Sequence, residues 1–287
     1  MTRRALFSMT IDPEGAMDDW VDPPPGWSIE PLPTQEAVLV LGIAGYQELV
    51  AETCARERPD LLVTHPPYDY LDEATAARVR AAGTAIVGYA FDDEIFAGAY
   101  REATWARLRT IYDRYVTTRE VRWATRPLAA LPPPPAGAPV LDVVLVGSAY
   151  ERRARLVDAL RAAGIAVTTR GPGWPDGFVS RAAMEALYAR AAVVLTTGDW
   201  ADHEVPMVKH RLLDTAMLGA FQLAQASPDL RGYFAEDEVP SYRDAAELVE
   251  RVRAALADPA GRRAAAARAR ARALREHTWQ VRFGELL

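Results

Sequence analysis

The residues of this chain best suited to chemistry gather most densely in Val208-Lys209-His210-Arg211-Leu212-Leu213-Asp214. Among 33 lysines and arginines, Lys209 is the only lysine, and arginine fills every other cationic position. Pro206 pre-sets φ for a helix start, and Leu212, Leu213, Ala216 and Met217 continue at helical spacing. Lys209, His210 and Arg211 then fall within about two turns of a helix N-terminus. The helix dipole there favours anions, not cations. A bound phosphate or diphosphate sharing the site would rationalise a basic cluster in that place. The alternative is a solvated face on which Arg211 and Asp214 pair at i, i+3.

Three further groups follow apolar, β-branched runs that read as strands. Gly147-Ser148 follows Leu141 to Val146, Gly171-Pro172-Gly173-Trp174 follows Ile165 to Thr169, and Thr196-Thr197-Gly198 follows Ala192 to Thr196. Gly147 lets backbone approach a ligand closely, Ser148 adds a hydroxyl, and Gly173 is a candidate contact within its glycine-rich turn. Arg152 or Arg153 can reach a phosphate from the next helix, and Asp214 could accept hydrogen bonds from a ribose diol. Trp174 could stack on a nucleobase or fill a loop core. Parallel α/β sheets collect ligands at the carboxyl ends of their strands, so this shared placement predicts a nucleotide-diphosphate site. His203 and His210 could also contact phosphate, whereas His277 reads as structural. In the first half, His65 ends the run Leu61 to Thr64 and precedes Pro66-Pro67. That places an imidazole of near-neutral pKa at a strand end, where it could act as a base or cap a loop. Asp92 and Asp93 end the next strand and could orient or replace it.

The elements that must position these groups alternate strand and helix, which implies parallel sheets covered on both faces. After Leu141 to Val146 come a helix over Glu151 to Ala163, a strand at Ile165, a helix over Arg181 to Ala191, a strand at Ala192, a helix over Pro206 to Leu218 and a strand over Ala220 to Ala224. In the first half, strands are expected at Ala5 to Ile11, Val38 to Gly42, Leu61 to His65, Ala85 to Phe91 and Tyr115 to Thr118. Helices are expected near Tyr46 to Arg58, Asp72 to Ala82 and Tyr100 to Asp113. Asp12 to Pro33 is acidic, proline-rich and carries Trp20 and Trp27, and it reads as an irregular loop or flap. Four successive prolines at Pro132 to Pro135 favour an extended spacer. The expected division is therefore residues 1–130, a linker at 131–139, and residues 140–287. The Ala/Arg-rich stretch Asp258 to Arg275 should be helical on propensity.

Composition narrows the function. With 287 residues, half of them hydrophobic, the chain can bury two medium cores. A net charge of −6 and a pI near 5.4 argue against a general nucleic-acid or anionic-membrane surface. No stretch reads as the roughly 20 apolar residues that span a bilayer. The single cysteine, Cys54, reads as a passive thiol and fits a reducing cytoplasm. Walker, Gly-x-Gly-x-x-Gly, Gly-x-Ser-x-Gly and His-Glu-x-x-His signatures are absent. Asp18-Asp19 and Asp92-Asp93 could each hold a divalent cation through carboxylates, but adjacent acids are common and no metal site is expected. No cofactor is expected beyond a nucleotide-diphosphate sugar as co-substrate.

From Val143 onward, several features are similar to the spore-maturation, CgeB-type glycosyltransferases. They are Val-Val-Leu-Val-Gly-Ser, Arg152 or Arg153, Gly171-x-Gly-Trp174, Lys209-x-Arg211-x-x-Asp214, Gly219-Ala-Phe and Glu276-His277-Thr278-Trp279 with Arg282. Leu230-Arg231-Gly232-Tyr233-Phe234 and the stretch from Val239 to Leu248 strengthen the resemblance. In the first half, Arg58-Pro59-Asp60-Leu61-Leu62-Val63 and Tyr89-Ala90-Phe91-Asp92-Asp93 are less decisive. The resemblance implies two Rossmann-like α/β domains facing across a cleft, the GT-B architecture, with the nucleotide sugar held mainly by the C-terminal one. Lys209 and Arg211 would match positions that meet the diphosphate, and Asp214 the acid that meets ribose. The sequence departs from related retaining enzymes, which often have glutamate at that position and a second glutamate upstream, where only Glu204 stands nearby. The expected activity is metal-independent sugar transfer from the nucleotide-sugar donor to a small-molecule or glycan acceptor. A nucleotide-sugar epimerase and a non-catalytic nucleotide-sugar-binding protein are the alternatives.

Overall fold

The computed structural model describes residues 2–9, 23–65, 70–90, 102–118, 120–138, 140–198 and 206–287. The chain forms two compact units, Met1–Arg126 with Thr278–Leu287, and Pro127–His277. Each is built on its own five-stranded, all-parallel sheet.

In the first unit the strands are β1 (Arg3–Met9), β2 (Trp27–Pro33), β3 (Leu61–Thr64), β4 (Ala85–Ala90) and β5 (Arg114–Thr117), ordered β2-β1-β3-β4-β5. In the second they are β6 (Leu141–Val146), β7 (Val167–Arg170), β8 (Ala191–Thr196), β9 (Gln222–Gln225) and β10 (Ser241–Tyr242), ordered β7-β6-β8-β9-β10. The two orders are the same, 2-1-3-4-5. In such a sheet the chain leaves the first strand in one direction and then crosses to its other side. The crevice outside the carboxyl ends of the first and third strands is therefore where ligands collect. In the first unit that crevice lies between β1 and β3, and in the second between β6 and β8.

Local chemistry explains most element boundaries. The helix Glu73–Ala81 starts where Asp72 accepts a hydrogen bond from the Thr75 backbone N–H at 2.7 Å. Asp244 caps Ala245–Ala257 in the same way, through the Glu247 N–H. Gly219, left-handed at φ 77°, ends His210–Leu218. The core of the second unit contains Val143, Leu145, Val157, Leu160, Val193 and Leu223. In the first unit Cys54 is fully buried. Burial pushes its thiol up to about 11, against the opposite pull of a hydrogen bond with Thr84, so it stays protonated at neutral pH.

Five sequence expectations change. Val38 to Gly42 is not a strand but part of the helix Thr34–Glu57, interrupted at Gly42 (φ 72°, ψ 173°). A short apolar run fits either period, and only packing decides between them. Trp27–Pro33, expected within an irregular segment, is β2, paired along its length with β1. Pro206 does not begin a helix. The helix begins at His210 with Lys209 as its N-cap, because the Met207 N–H bonds the Gly198 carbonyl and Met207 and Val208 are buried in extended chain.

The chain divides after Arg126 and returns at Thr278, so the last helix, Trp279–Leu286, belongs to the first unit and not to the second. Its Trp279 and Phe283 pack on Phe7 of β1, both with centroids 6.1 Å away. Finally, Glu36–Glu57 is long and apolar enough to cross a bilayer by length and composition. Its residues Tyr46, Val50 and Cys54 are nonetheless buried in the core of the first unit, the packing of a core helix.

Candidate functional site

The second unit brings two loops together at the carboxyl end of β6. Gly147 N–H bonds the Arg170 carbonyl at 2.8 Å, and Ala149 N–H bonds the Pro172 carbonyl at 2.8 Å. The turn after β7 is thereby zipped to the turn after β6. Close approach of backbone makes this possible. A Cβ on Gly171 (φ 123°) would lie 2.5 Å from the Gly147 oxygen, and one on Gly173 (φ 84°) 3.0 Å from Ala149 Cβ. Trp174 Nε1 donates to the Gly147 carbonyl at 2.7 Å, and its ring packs against the core of the unit. Of the two roles open to Trp174, this geometry shows the one that fills the loop core.

Two guanidinium groups converge on Gly147. A Cβ there (φ 153°) would lie 2.9 Å from Arg153 Nη1 and 3.2 Å from Arg211 Nη1. Arg153 is steadied by its Nη1 donating to the Ser148 carbonyl at 3.1 Å and by stacking over the Tyr150 ring at 4.7 Å. Between Arg152 and Arg153, it is Arg153 whose head reaches the turn, while Arg152 is half-buried on the same helix, Glu151–Ala162. Arg211 comes from the opposite side, in the first turn of His210–Leu218. That helix has no side-chain N-cap and no acid in its first turn. Two cations and an uncapped helix start beside a glycine turn form a strong anion-binding arrangement.

Lys209 separates from Arg211. It lines a small pocket on the other flank of β8, with Thr197, Gly198, Gln225 and Ser227. Gln225 Oε1 accepts from the Gly198 N–H at 3.0 Å, and Ser227 Oγ is buried without a hydrogen-bond partner among the described residues. Asp214, one helical turn beyond His210, receives the His210 ring, with Nδ1 3.3 Å from Oδ2 and both side chains mostly buried. Asp214 therefore pairs with His210 at i, i+4; no Arg211–Asp214 ion pair is found among the described residues. Beneath them lies Tyr188, fully buried. Burial raises the pKa of its phenol, Arg211 pulls the other way, and Asp214 adds to the rise. Tyr188, Gln225 and Ser227 were not singled out from the sequence. Gln225 ends β9 and Ser227 lies just beyond it, so the rule that ligands collect at strand carboxyl ends points at both, whereas Tyr188 carries no local signal.

In the first unit, His65 is buried at the end of β3, on the β1/β3 crevice. Its Nδ1 lies 3.1 Å from the Tyr89 carbonyl. A carbonyl only accepts, so Nδ1 carries the proton, and in the neutral tautomer the lone pair is then on Nε2. Asp92, Asp93 and His203 lie outside the described residues. His277 is buried, with Nε2 2.8 Å from the Tyr233 carbonyl, a structural contact within the second unit.

Residues 152–287 match the family described as glycosyl transferase-like. No curated protein matches the chain. Among solved structures, Anabaena Alr3699/HepE in complex with UDP-glucose is 11% identical, with a TM-score of 0.59 over 99% of this chain and 98% of that one. A glycosyltransferase from Rickettsia africae is 9% identical, with a TM-score of 0.60 over 99% and 96%. Sucrose-phosphate synthase from Thermosynechococcus elongatus is 14% identical, with a TM-score of 0.56 over 98% and 87%. At these identities the likeness is one of fold, the GT-B pair of Rossmann-like domains. The C-terminal part of this chain thus carries a glycosyl transferase-like domain on a GT-B fold, and the enzyme is a glycosyltransferase.

Proposed function

We propose that this enzyme is a CgeB-type glycosyltransferase that takes its sugar from a nucleotide-diphosphate donor without a metal ion and works in the reducing cytoplasm. The observation that carries the donor assignment is the convergence of Arg153 and Arg211 over the Gly147 turn, on the switch-point crevice of the second sheet. Sugar transfer leaves charge on the departing diphosphate, and two fixed guanidinium groups with a helix start can stabilise it. Asp214, oriented by His210, meets the ribose diol, and Lys209 and Ser227 serve the flank of the donor that enters the β8/β9 pocket. The UDP-glucose complex of Alr3699/HepE, a protein of the same fold, supports the donor class.

The direct test is a thermal-shift and calorimetric panel of nucleoside diphosphates and their sugars. A ligand that binds only the folded protein at 100 times its Kd stabilises by about 2.7 kcal/mol. No response to any member of the panel would remove the donor reading.

Transfer is expected to continue after exhaustive chelation. Activity that disappears with EDTA and returns with magnesium or manganese would show a metal at the diphosphate instead, and would bring the aspartate pairs back as its ligands.

His65 is proposed as the base that accepts the proton of the acceptor hydroxyl at Nε2. His65→Ala should lower transfer by about 10²-fold or more while leaving donor affinity unchanged. His65→Gln keeps a donor towards the Tyr89 carbonyl but has no basic nitrogen, so it should be equally slow. Near-normal transfer by either folded variant would reject the role. Asp92→Asn separates an orienting acid from a base, since the loss is small in the first case and comparable to that of His65→Ala in the second.

A further inference from the structure

An apolar knuckle stands on the carboxyl edge of the first sheet. Ser8, near the end of β1, is hydrogen-bonded through Oγ to two residues of the next helix, Thr34 Oγ1 at 2.8 Å and Tyr46 OH at 2.7 Å. The chain between them leaves Ser8 and comes back to it, broken at Gly42, whose φ of 72° interrupts the helix. At this excursion Leu39 is 85% exposed and Val40 80%, and Leu41 and Ile43 are about half exposed. Gln47, one turn after Ile43, donates to the carbonyl of Tyr70, an exposed aromatic residue held left-handed at φ 49°. Tyr70 follows His65 by five residues. In the β1–β3 register Ser8 is level with Thr64, the residue before His65, so the anchor of the knuckle and His65 share the edge of the sheet that carries the β1/β3 switch point.

We infer that this knuckle seats the apolar body of the acceptor, so that the acceptor class is an amphipathic molecule with an aliphatic or aromatic aglycone and a hydroxyl to be glycosylated. The inference rests on the glycosyltransferase reading and adds the chemistry of its second substrate. Large exposed aliphatic side chains in one cluster mark a binding surface. A stable protein interface needs roughly 800 Å² per partner, more than four aliphatic side chains supply, whereas a small ligand needs no more than this. Residues 34–47 contain no cation and one acid, Glu36, so the surface does not suit an anionic headgroup or a polyanion. Continuity with the crevice at His65 favours the substrate itself as occupant.

The test uses the full chain and a series of hexyl, octyl and decyl maltosides below their micelle concentrations, with binding read by calorimetry. Each methylene that becomes buried should tighten binding by up to about fourfold, so the wild type should favour decyl over hexyl by tenfold or more. The variant Leu39→Ser/Val40→Ser/Leu41→Ser changes only exposed side chains and should fold normally, bind UDP as the wild type does, and lose the dependence on chain length. A wild type indifferent to chain length, or a variant that keeps the full dependence, would overturn the inference. So would loss of binding to phosphatidylcholine vesicles, or of concentration-dependent dimerisation, as the sole effect of the variant, since the occupant would then be a bilayer or a second copy. The UDP titration separates the two readings. Chain-length dependence without UDP binding leaves the apolar seat and removes the donor site, and the converse removes the seat alone.

Discussion

Replacing Arg211 by alanine is expected to weaken nucleoside-diphosphate binding roughly 10- to 100-fold, the equivalent of about 1.5–3 kcal/mol for hydrogen bonds to a charged group. The size follows from geometry. Arg211 Nη1 and Arg153 Nη1 approach the same point above Gly147 from different helices. A diphosphate placed there would be clamped from both sides, and removing one guanidinium leaves its oxygens to a single cation. Arg153→Ala should produce a loss of similar size, and the double variant less than the sum, because the two share one ligand. Lysine is a poor substitute at Arg211, since an ammonium cannot present the planar fork. Lys209→Ala should weaken a nucleoside diphosphate less than Arg211→Ala does, because Lys209 faces the pocket on the far flank of β8. Calorimetric titration with UDP, with circular dichroism as a fold control, decides the matter. Unchanged affinity in folded Arg153→Ala and Arg211→Ala would dissolve the anion site.

Gly171→Ala should be among the most damaging single substitutions in the second unit, at about 3 kcal/mol or more. Two costs combine. Its φ of 123° is a conformation that side-chain-bearing residues rarely adopt. The new methyl would also lie 2.5 Å from the Gly147 oxygen and 2.7 Å from its carbonyl carbon, which are backbone atoms that cannot swing aside. Relief requires parting the two turns, which breaks the Gly147 N–H to Arg170 and Ala149 N–H to Pro172 bonds and displaces the floor beneath both arginines. Gly177→Ala is the control. It lies in the same turn, with φ 64° and nothing within 4 Å of the added carbon, so only the left-handed penalty of about 1–2 kcal/mol applies. Urea unfolding of the two variants, with UDP titration, reads both effects. Equal midpoints would mean that the approach of the two turns carries no stability.

Several of these features are legible in the sequence. Alternating apolar runs and amphipathic stretches identify two parallel α/β units, because each strand of such a sheet must be buried on both faces and followed by a covering helix. Gly147 marks a turn open to close approach because a residue without Cβ fits there, whereas the approach of Gly171 and Gly173 to that turn is a matter of the fold. The basic segment at Lys209–Arg211 raises the expectation of an anion, because cations at a helix start need a compensating charge. Other features depend on contacts between residues far apart in the chain. Whether Val38 to Gly42 is strand or helix was decided by how residues 34 and 46 meet Ser8.

Lys209 and Arg211 read as one cluster along the chain, yet residues two apart at a helix start face different ways. The fold therefore gives Arg211 to the β6 turn and Lys209 to the β8/β9 pocket. The last helix joins the first unit because Trp279 and Phe283 bury their rings against Phe7, a partner more than 270 positions away by the numbering. Local sequence determined most of the strands and helices, since those follow from backbone propensity and periodicity within a few residues, but not the helical state of residues 38–41, the strand Trp27–Pro33 or the helix start at His210. Which charged group meets which pocket was decided only in the tertiary structure, because side-chain direction and long-range packing have no signature within a window of that length.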